Sequence, residues 1–386
     1  MKKPYTFISA FFTVSSITLV SRITGLIRDI LFAAYLGAGV VADAFLIAFQ
    51  FPNIFRRLFA EGAFSSGFVP LFNEILKKSG EKEAILFVEE VLSVLICILL
   101  FFIFMMLMAM PLIVLIIAPG FSSIPNQVEY TTELARLTFP YLFFISLVSL
   151  QSGILNAFGR FASPAATPII LNITLILSLF FALFQNMGIA VTLCWGILLA
   201  GILQFFWLYR FILRIGISLK IIRPRITPRV MILIRRILPV AFGAGLYQIN
   251  LVVDKLVATL VSTGAVSWLY FADRINQLPV GVVGVGIGVV LLPLLSQDIS
   301  EGRKQEALFS QNRAIELGLT LSIPASVGIL ILSIPIISII FERGLFTTYD
   351  REAVSAALVA LASGLPAYIL IKSLVPGFFS RQDTVT

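Results

Sequence analysis

The sequence contains no histidine and 2 cysteines, and only 12% of its 386 residues are charged. Without histidine, no imidazole can serve as general base or metal ligand. Cys97 and Cys194 lie in apolar runs far apart, with neither metal nor redox spacing, and read as packing residues. There is no G-x-x-x-x-G-K-[ST] loop to cradle nucleotide phosphates, so ATP hydrolysis by this chain is not expected. GVVGVGIG at 281–288 lacks the dinucleotide spacing; Gly284 and Gly288 suit close helix packing instead. No acid cluster of the D-D-x-x-D kind is present to hold a metal, which argues against a polyprenyl-phosphate transferase and, more broadly, against an enzyme.

A soluble protein carries about 25% charged residues. Here 59% of residues are hydrophobic and the mean hydropathy is +1.02. The composition describes an all-α polytopic membrane protein with no sizeable soluble domain. A spanning helix needs about 20 apolar residues. About ten segments qualify: 5–36, 40–60, 84–118, 131–158, 164–184, 188–212, 233–261, 265–296, 307–340 and 353–380. The opening MKKPYTFISAFFTVSS looks like a signal peptide but reads as a retained first helix, because apolar text resumes with no clear cleavage site. Pro140, Pro279, Pro324 and Pro335 are expected to kink their helices. EGAFSSGFVPLFNEILKK is expected to include a short amphipathic helix at the membrane surface.

Loop charge sets the expected orientation. With a cytoplasmic N-terminus, the cytoplasmic loops carry Lys77, Lys78, Lys82, Arg160, Arg214, Lys220, Arg223, Arg225, Arg229, Arg303 and Lys304. The opposite loops carry only Arg343 and Arg351. This is a positive-inside pattern, and it accounts for the net charge of +8 without a nucleic-acid partner.

The polar connection ISLKIIRPRITPRV (217–230) divides the chain into an N-terminal lobe, 1–216, with helices 1–6, and an incomplete C-terminal lobe, 217–386, with helices 7–10. VPLFNEI at 69–75 is similar to LPLLSQDI at 292–299, and NAFGRFAS at 156–163 to GFFSRQDT at 377–384. Helices 7–10 thus read as a parallel repeat of helices 1–4, and two helices of the second lobe are expected to be missing by truncation. Internal repeats are common in transporters, with the substrate site between them.

Charges interrupt these apolar runs at Arg22, Arg28, Asp29, Asp43, Arg56, Asp254 and Arg274. A charge at the bilayer centre costs about 2.5–3.5 kcal/mol on insertion scales, so these residues must face protein or water. Most are arginine, whose guanidinium fork suits a phosphate or another anion. Arg22 and Asp29 share nearly one helix face with a rise of about 10 Å between them, and Arg28 points elsewhere on the cylinder. A competing reading makes Arg28–Asp29 and Asp273–Arg274 structural pairs. Asp254 is an acid at membrane depth, a cation or proton site by default.

The block SRITGLIRDILFAAYLGAGVVADAFLIAFQFPNIFRRLFAEGAFSSGFVPLF (21–72), with YFADRINQLPVGVVGVGIGVVLLPLLS (270–296) and GFFSRQDT (377–384), resembles the MurJ/MviN family of bacterial lipid II flippases. The resemblance covers essentially the whole chain. It implies two six-helix lobes followed by two more helices, of which this chain holds about ten in all. It also implies that Arg22, Arg28, Asp43, Arg56 and Arg274 bind substrate in a central cavity, the arginines engaging the cargo diphosphate. Asp29, Glu61 and Asp273 would support them. Asp254 matches an aspartate that holds sodium in some members; its partners lie on an eleventh helix, so the metal site would be incomplete here.

The function so implied is alternating-access flipping of lipid II from the cytoplasmic to the periplasmic leaflet of the bacterial inner membrane. No cofactor is implied, and coupling would come from sodium, protons or the membrane potential. The chain would be a monomer. On this basis Arg28→Ala in a complete protein abolishes transport and leaves folding intact. The alternatives are an inactive or partner-dependent fragment of such a flippase, and an ion-coupled drug or metabolite antiporter, which an arginine-rich site disfavours.

Overall fold

The structure, a computed structural model, describes residues 7–56 and 64–380. Among these residues the chain is all-α: α1 (Phe7–Leu36), α2 (Val40–Phe55), α3 (Phe64–Ser79), α4 (Glu81–Ile117), α5 (Gln127–Thr138), α6 (Tyr141–Ala157), α7 (Ala162–Ala165), α8 (Thr167–Phe184), α9 (Ile189–Arg214), α10 (Pro228–Val261), α11 (Ala265–Pro279), α12 (Val285–Ser300), α13 (Lys304–Phe341), α14 (Thr348–Ser363) and α15 (Leu365–Phe379). Each expected apolar segment coincides with one helix or with a consecutive pair. Among the described residues, length and hydropathy alone qualify five stretches as membrane spans: Glu81–Ile117, Gln127–Ala157, Ala162–Phe184, Ile189–Arg214 and Lys304–Phe341. The pair α14–α15, bent by 42°, makes a sixth.

The prolines act unequally. Pro140 separates α5 from α6, and Pro279 precedes a π-helical turn, Val280–Gly284. Pro324 and Pro335 lie within the uninterrupted α13 instead of breaking it. Cys194 is buried as a packing residue should be, whereas Cys97 lies on the exposed side of α4. That side carries Phe101, Phe104, Met108, Leu112 and Ile116, all exposed and apolar, as a lipid-facing surface requires.

Packing divides the chain into two compact units, residues 1–32 with 39–263, and residues 33–38 with 264–386. The division falls after Thr263, and not at the polar connection near 217, because α10 packs on α3, on α4 and on the 3-10 turn Pro119–Ser123. The approach to that turn is close: a Cβ on Gly120 would lie 1.8 Å from the Thr259 carbonyl oxygen, so only glycine fits. The amphipathic helix expected after α2 is α3. Its apolar face (Phe64, Phe68, Leu71, Phe72, Ile75) is buried, with Phe68 stacked on Phe87 of α4 and Phe72 edge-on to Phe158. Protein covers this face, because α3 packs on α4 and α6.

In the second unit, α13 packs against α12, α14 and α15, and α11 against α14. Phe271 meets Phe341 and Phe346 at 5.0 and 5.5 Å between ring centroids. Asp350 closes a capping box with Thr347 at the start of α14 and accepts a 2.9 Å hydrogen bond from Trp268 Nε1. The last turn of α1 belongs here as well: the Leu345 N–H donates to the Ala34 carbonyl at 2.8 Å. Gly344, at φ +61°, lies so near Ala34 that a Cβ would come within 2.1 Å of its carbonyl oxygen.

Candidate functional site

The first unit places its charges on α1 and α2. Arg28 is buried on α1, with 6% of its surface exposed, and Asp29 beside it is wholly buried. The two side chains leave the helix about 100° apart. Arginine is long enough to turn back: Nε and Nη2 both donate to Asp29 Oδ1, at 3.0 and 2.7 Å. The third donor, Nη1, reaches Asn172 Oδ1 on α8 at 2.8 Å. The guanidinium also lies 5.5 Å from the centroid of the Phe32 ring. Hydrogen bonds to a charged group contribute about 1.5–3 kcal/mol each, and the counter-charge is what makes a buried guanidinium tolerable.

Asn172 is the residue that sequence reasoning missed. Its Nδ2 donates to the Ser21 carbonyl at 3.0 Å and to Thr24 Oγ1 at 3.2 Å, while its Oδ1 accepts from Arg28. One amide therefore ties α8 to two successive turns of α1 and fixes the Arg28 fork. The available signal was a lone amide in the apolar text TPIILNITLIL. A second buried amide, Gln204, donates to the Thr167 carbonyl at 2.7 Å and joins α9 to the start of α8.

The remaining candidates are placed as follows. Arg22 is exposed on α1, one turn and a half before Arg28. Asp43 is buried in the first turn of α2, where the helix dipole favours an anion. Arg56 is half-buried at the C-terminal end of α2, with Nε 3.2 Å from Asn53 Oδ1. Glu61 lies outside the described residues. In the second unit, Asp273 and Arg274 are half-buried on α11, and Asp273 accepts from Gln277 Nε2 one turn on. Asp254 is exposed on α10. Among the described residues, no three acids or cysteines cluster in a way that could hold a metal ion. Within the first unit, then, the structure joins Arg28 to Asp29, and it recruits Asn172 to both.

The RD step of α1, the DAF step of α2 and the ADR step of α11 all fall at positions where charge is buried or half-buried in an apolar fold. A family model described as lipid II flippase MurJ matches residues 32–386. The chain belongs to that family. A probable lipid II flippase MurJ from Rhizobium tropici is 44% identical over 381 residues, covering 98% of this chain and 71% of the relative. Another, from Rickettsia prowazekii, is 39% identical over 96% of this chain and 72% of its own length. A solved structure, lipid II flippase MurJ in an inward closed conformation, matches with a TM-score of 0.83 at 31% identity, over 96% of this chain and 76% of that one. A multidrug MATE transporter of the MOP superfamily matches at TM-score 0.71 and 16% identity, which establishes a shared fold alone. The membership bears out the family resemblance read from residues 21–72. This MurJ-family chain spans about 71% of the length of the R. tropici relative.

Proposed function

We propose that this chain flips lipid II across the bacterial cytoplasmic membrane by alternating access, as a carrier with no covalent chemistry of its own. Membership of the flippase family over 98% of the chain supports this reading. Arg22, Arg28 and Arg56 of the first unit, and Arg274 of the second, are the cations assigned to the cargo. Arg28 is the central one. Its fork is held by Asp29 Oδ1 and Asn172 Oδ1, both oxygen acceptors of the kind a diphosphate presents. Cargo binding is an exchange: phosphate oxygens take over Arg28 N–H groups that donate to Asp29 and Asn172. A site that starts saturated does not expose a bare cation to the apolar tail of the lipid.

The N-terminus is assigned to the cytoplasm on the loop charges. Asp254, exposed on α10, is assigned to cation coupling, and Asp254→Asn is expected to remove any dependence of flipping on sodium or pH. The deciding experiment expresses only this chain in a bacterium depleted of its own flippase. Lipid II on the outer face is then cleaved by an added periplasmic-side hydrolase. Restored cleavage is the expected result. No cleavage, with the protein present in the membrane, overturns independent activity.

A further inference from the structure

Residues 217–227, between α9 and α10, form an extended strap whose backbone is fastened to α4 of the same unit. The Lys220 N–H donates to Glu89 Oε1 at 2.9 Å, and the Ile222 N–H to Ser93 Oγ at 2.9 Å. Thr227, the N-cap of α10, donates its hydroxyl to Glu90 Oε2 at 2.8 Å, and Arg229 pairs with Glu83 at 2.7 Å. Ile217 and Val230 are buried at its two ends. Glu83, Glu89 and Glu90 of α4 are thus taken up by a backbone group, by Thr227 and by Arg229. The basic side chains of the strap itself are left over. Lys220, Arg223 and Arg225 are exposed, and among the described residues none of them forms an ion pair. Ile221 and Ile226 lie among them, 73% and 63% exposed.

The depth of the strap follows from α4. Its charges end at Glu89 and Glu90; from Val91 to Ile117 the helix is uncharged, roughly 40 Å of rise. A hydrocarbon core of about 30 Å must lie within that stretch. Glu89 and Glu90 therefore lie on the headgroup side of the core, within about 10 Å of the acyl boundary. A strap hydrogen-bonded to Glu89, Glu90 and Ser93 sits near that boundary. Three unpaired cations with two exposed isoleucines between them, held at headgroup level, match an anionic lipid surface in both charge and polarity.

We propose that the 217–227 strap is a docking surface for anionic phospholipid headgroups, with Lys220, Arg223 and Arg225 binding the phosphates and Ile221 and Ile226 entering the acyl boundary. This site is separate from the cargo arginines and does not depend on which lipid the protein flips. Each basic side chain at an anionic membrane surface is worth about fivefold in binding, so losing three predicts a fall of up to roughly a hundredfold at low salt.

The test uses the purified full chain in neutral detergent, titrated with phosphatidylglycerol or phosphatidylcholine, with bound lipids counted by native mass spectrometry. The triple variant K220Q/R223Q/R225Q is expected to lose phosphatidylglycerol adducts and keep its phosphatidylcholine adducts. A charge-matched control, K77Q/K82Q/K304Q, is expected to retain both. Equal loss in the two triples reduces the effect to net charge and overturns the proposal. No loss in the strap triple also overturns it. An independent readout is Ile226→Trp in phosphatidylglycerol vesicles. The added emission is expected to be quenched by acyl chains brominated near the glycerol, and an unquenched, water-exposed emission overturns the placement.

Discussion

Arg28 and the strap arginines are the same residue type at opposite ends of a scale. Arg28 is buried, with its fork divided between Asp29 and Asn172. Arg223 and Arg225 are exposed, with no ion pair among the described residues. A buried guanidinium is tolerable only because its partners are fixed, and any change to one of them is felt throughout the site. An exposed one contributes almost nothing to folding and remains available for a partner outside the chain. Charge inside the apolar fold therefore carries information through its hydrogen bonds, and charge at the edge through the absence of them.

The largest effect that could break this contrast is at Arg28 itself. Arg28→Ala leaves Asp29 buried without the guanidinium, which costs about 3–5 kcal/mol. The expectation that this substitution spares folding is therefore corrected by the structure: a lowered melting temperature in detergent should accompany the loss of flipping. The double variant R28M/D29L should recover most of the stability and none of the transport. A single mutant that melts like the wild type would show that the pair is not the buried, coupled one described.

Next in size is Asn172→Leu, which removes one acceptor from Arg28 and two hydrogen bonds from α1. It should cost about 1–3 kcal/mol, again read by thermal melting. Asn172→Asp sharpens the point. It gives Arg28 a second carboxylate but removes the amide donor to the Ser21 carbonyl, so flipping should slow, because cargo must displace a stronger competitor, and the melting temperature should fall as well.

At the strap, K220Q/R223Q/R225Q should change stability by less than about 0.5 kcal/mol, as exposed substitutions do, despite removing three charges. A shift as large as that of Arg28→Ala would erase the distinction between the two regions.

Smallest of all is Lys78→Ala on α3. The hydrogen bond and charge of Lys78, 2.8 Å away, hold the Glu74 carboxyl below its ordinary range. That stabilisation is present above the ordinary carboxylate pKa and is lost as pH falls through the depressed one. Without Lys78 the Glu74 pKa should rise and the acid limb of stability flatten slightly. Acid melts of the two proteins should be barely distinguishable.

The fold class was legible because membrane spans declare themselves in composition, and the family because the block at 21–72 is long and specific. Arg28 was legible as a charge in apolar text, but its partner was not. Asn172 lies 144 residues away in sequence, and a single amide in a spanning helix looks the same whether it meets lipid, water or a guanidinium. The cover of the α3 apolar face was hidden for a similar reason: an apolar stripe reports that something covers it and says nothing of what. The strap was legible as basic text only. Nothing in ISLKIIRPRIT shows that its backbone spends the acids of α4 and leaves its own cations unpaired.

The tie between α1 and the loop at Gly344 and Leu345 also sets a clock on biogenesis. The carbonyl of Ala34 is made early, and the N–H that it receives arrives 311 residues later (345 − 34). At about 5–20 residues per second this is a delay of roughly 15–60 s. During that interval the end of α1 lacks this native partner, while the helices after it are already being made. A ribosome pause or an early release before Leu345 leaves that end open, so the close of α1 waits on a residue made 311 positions later.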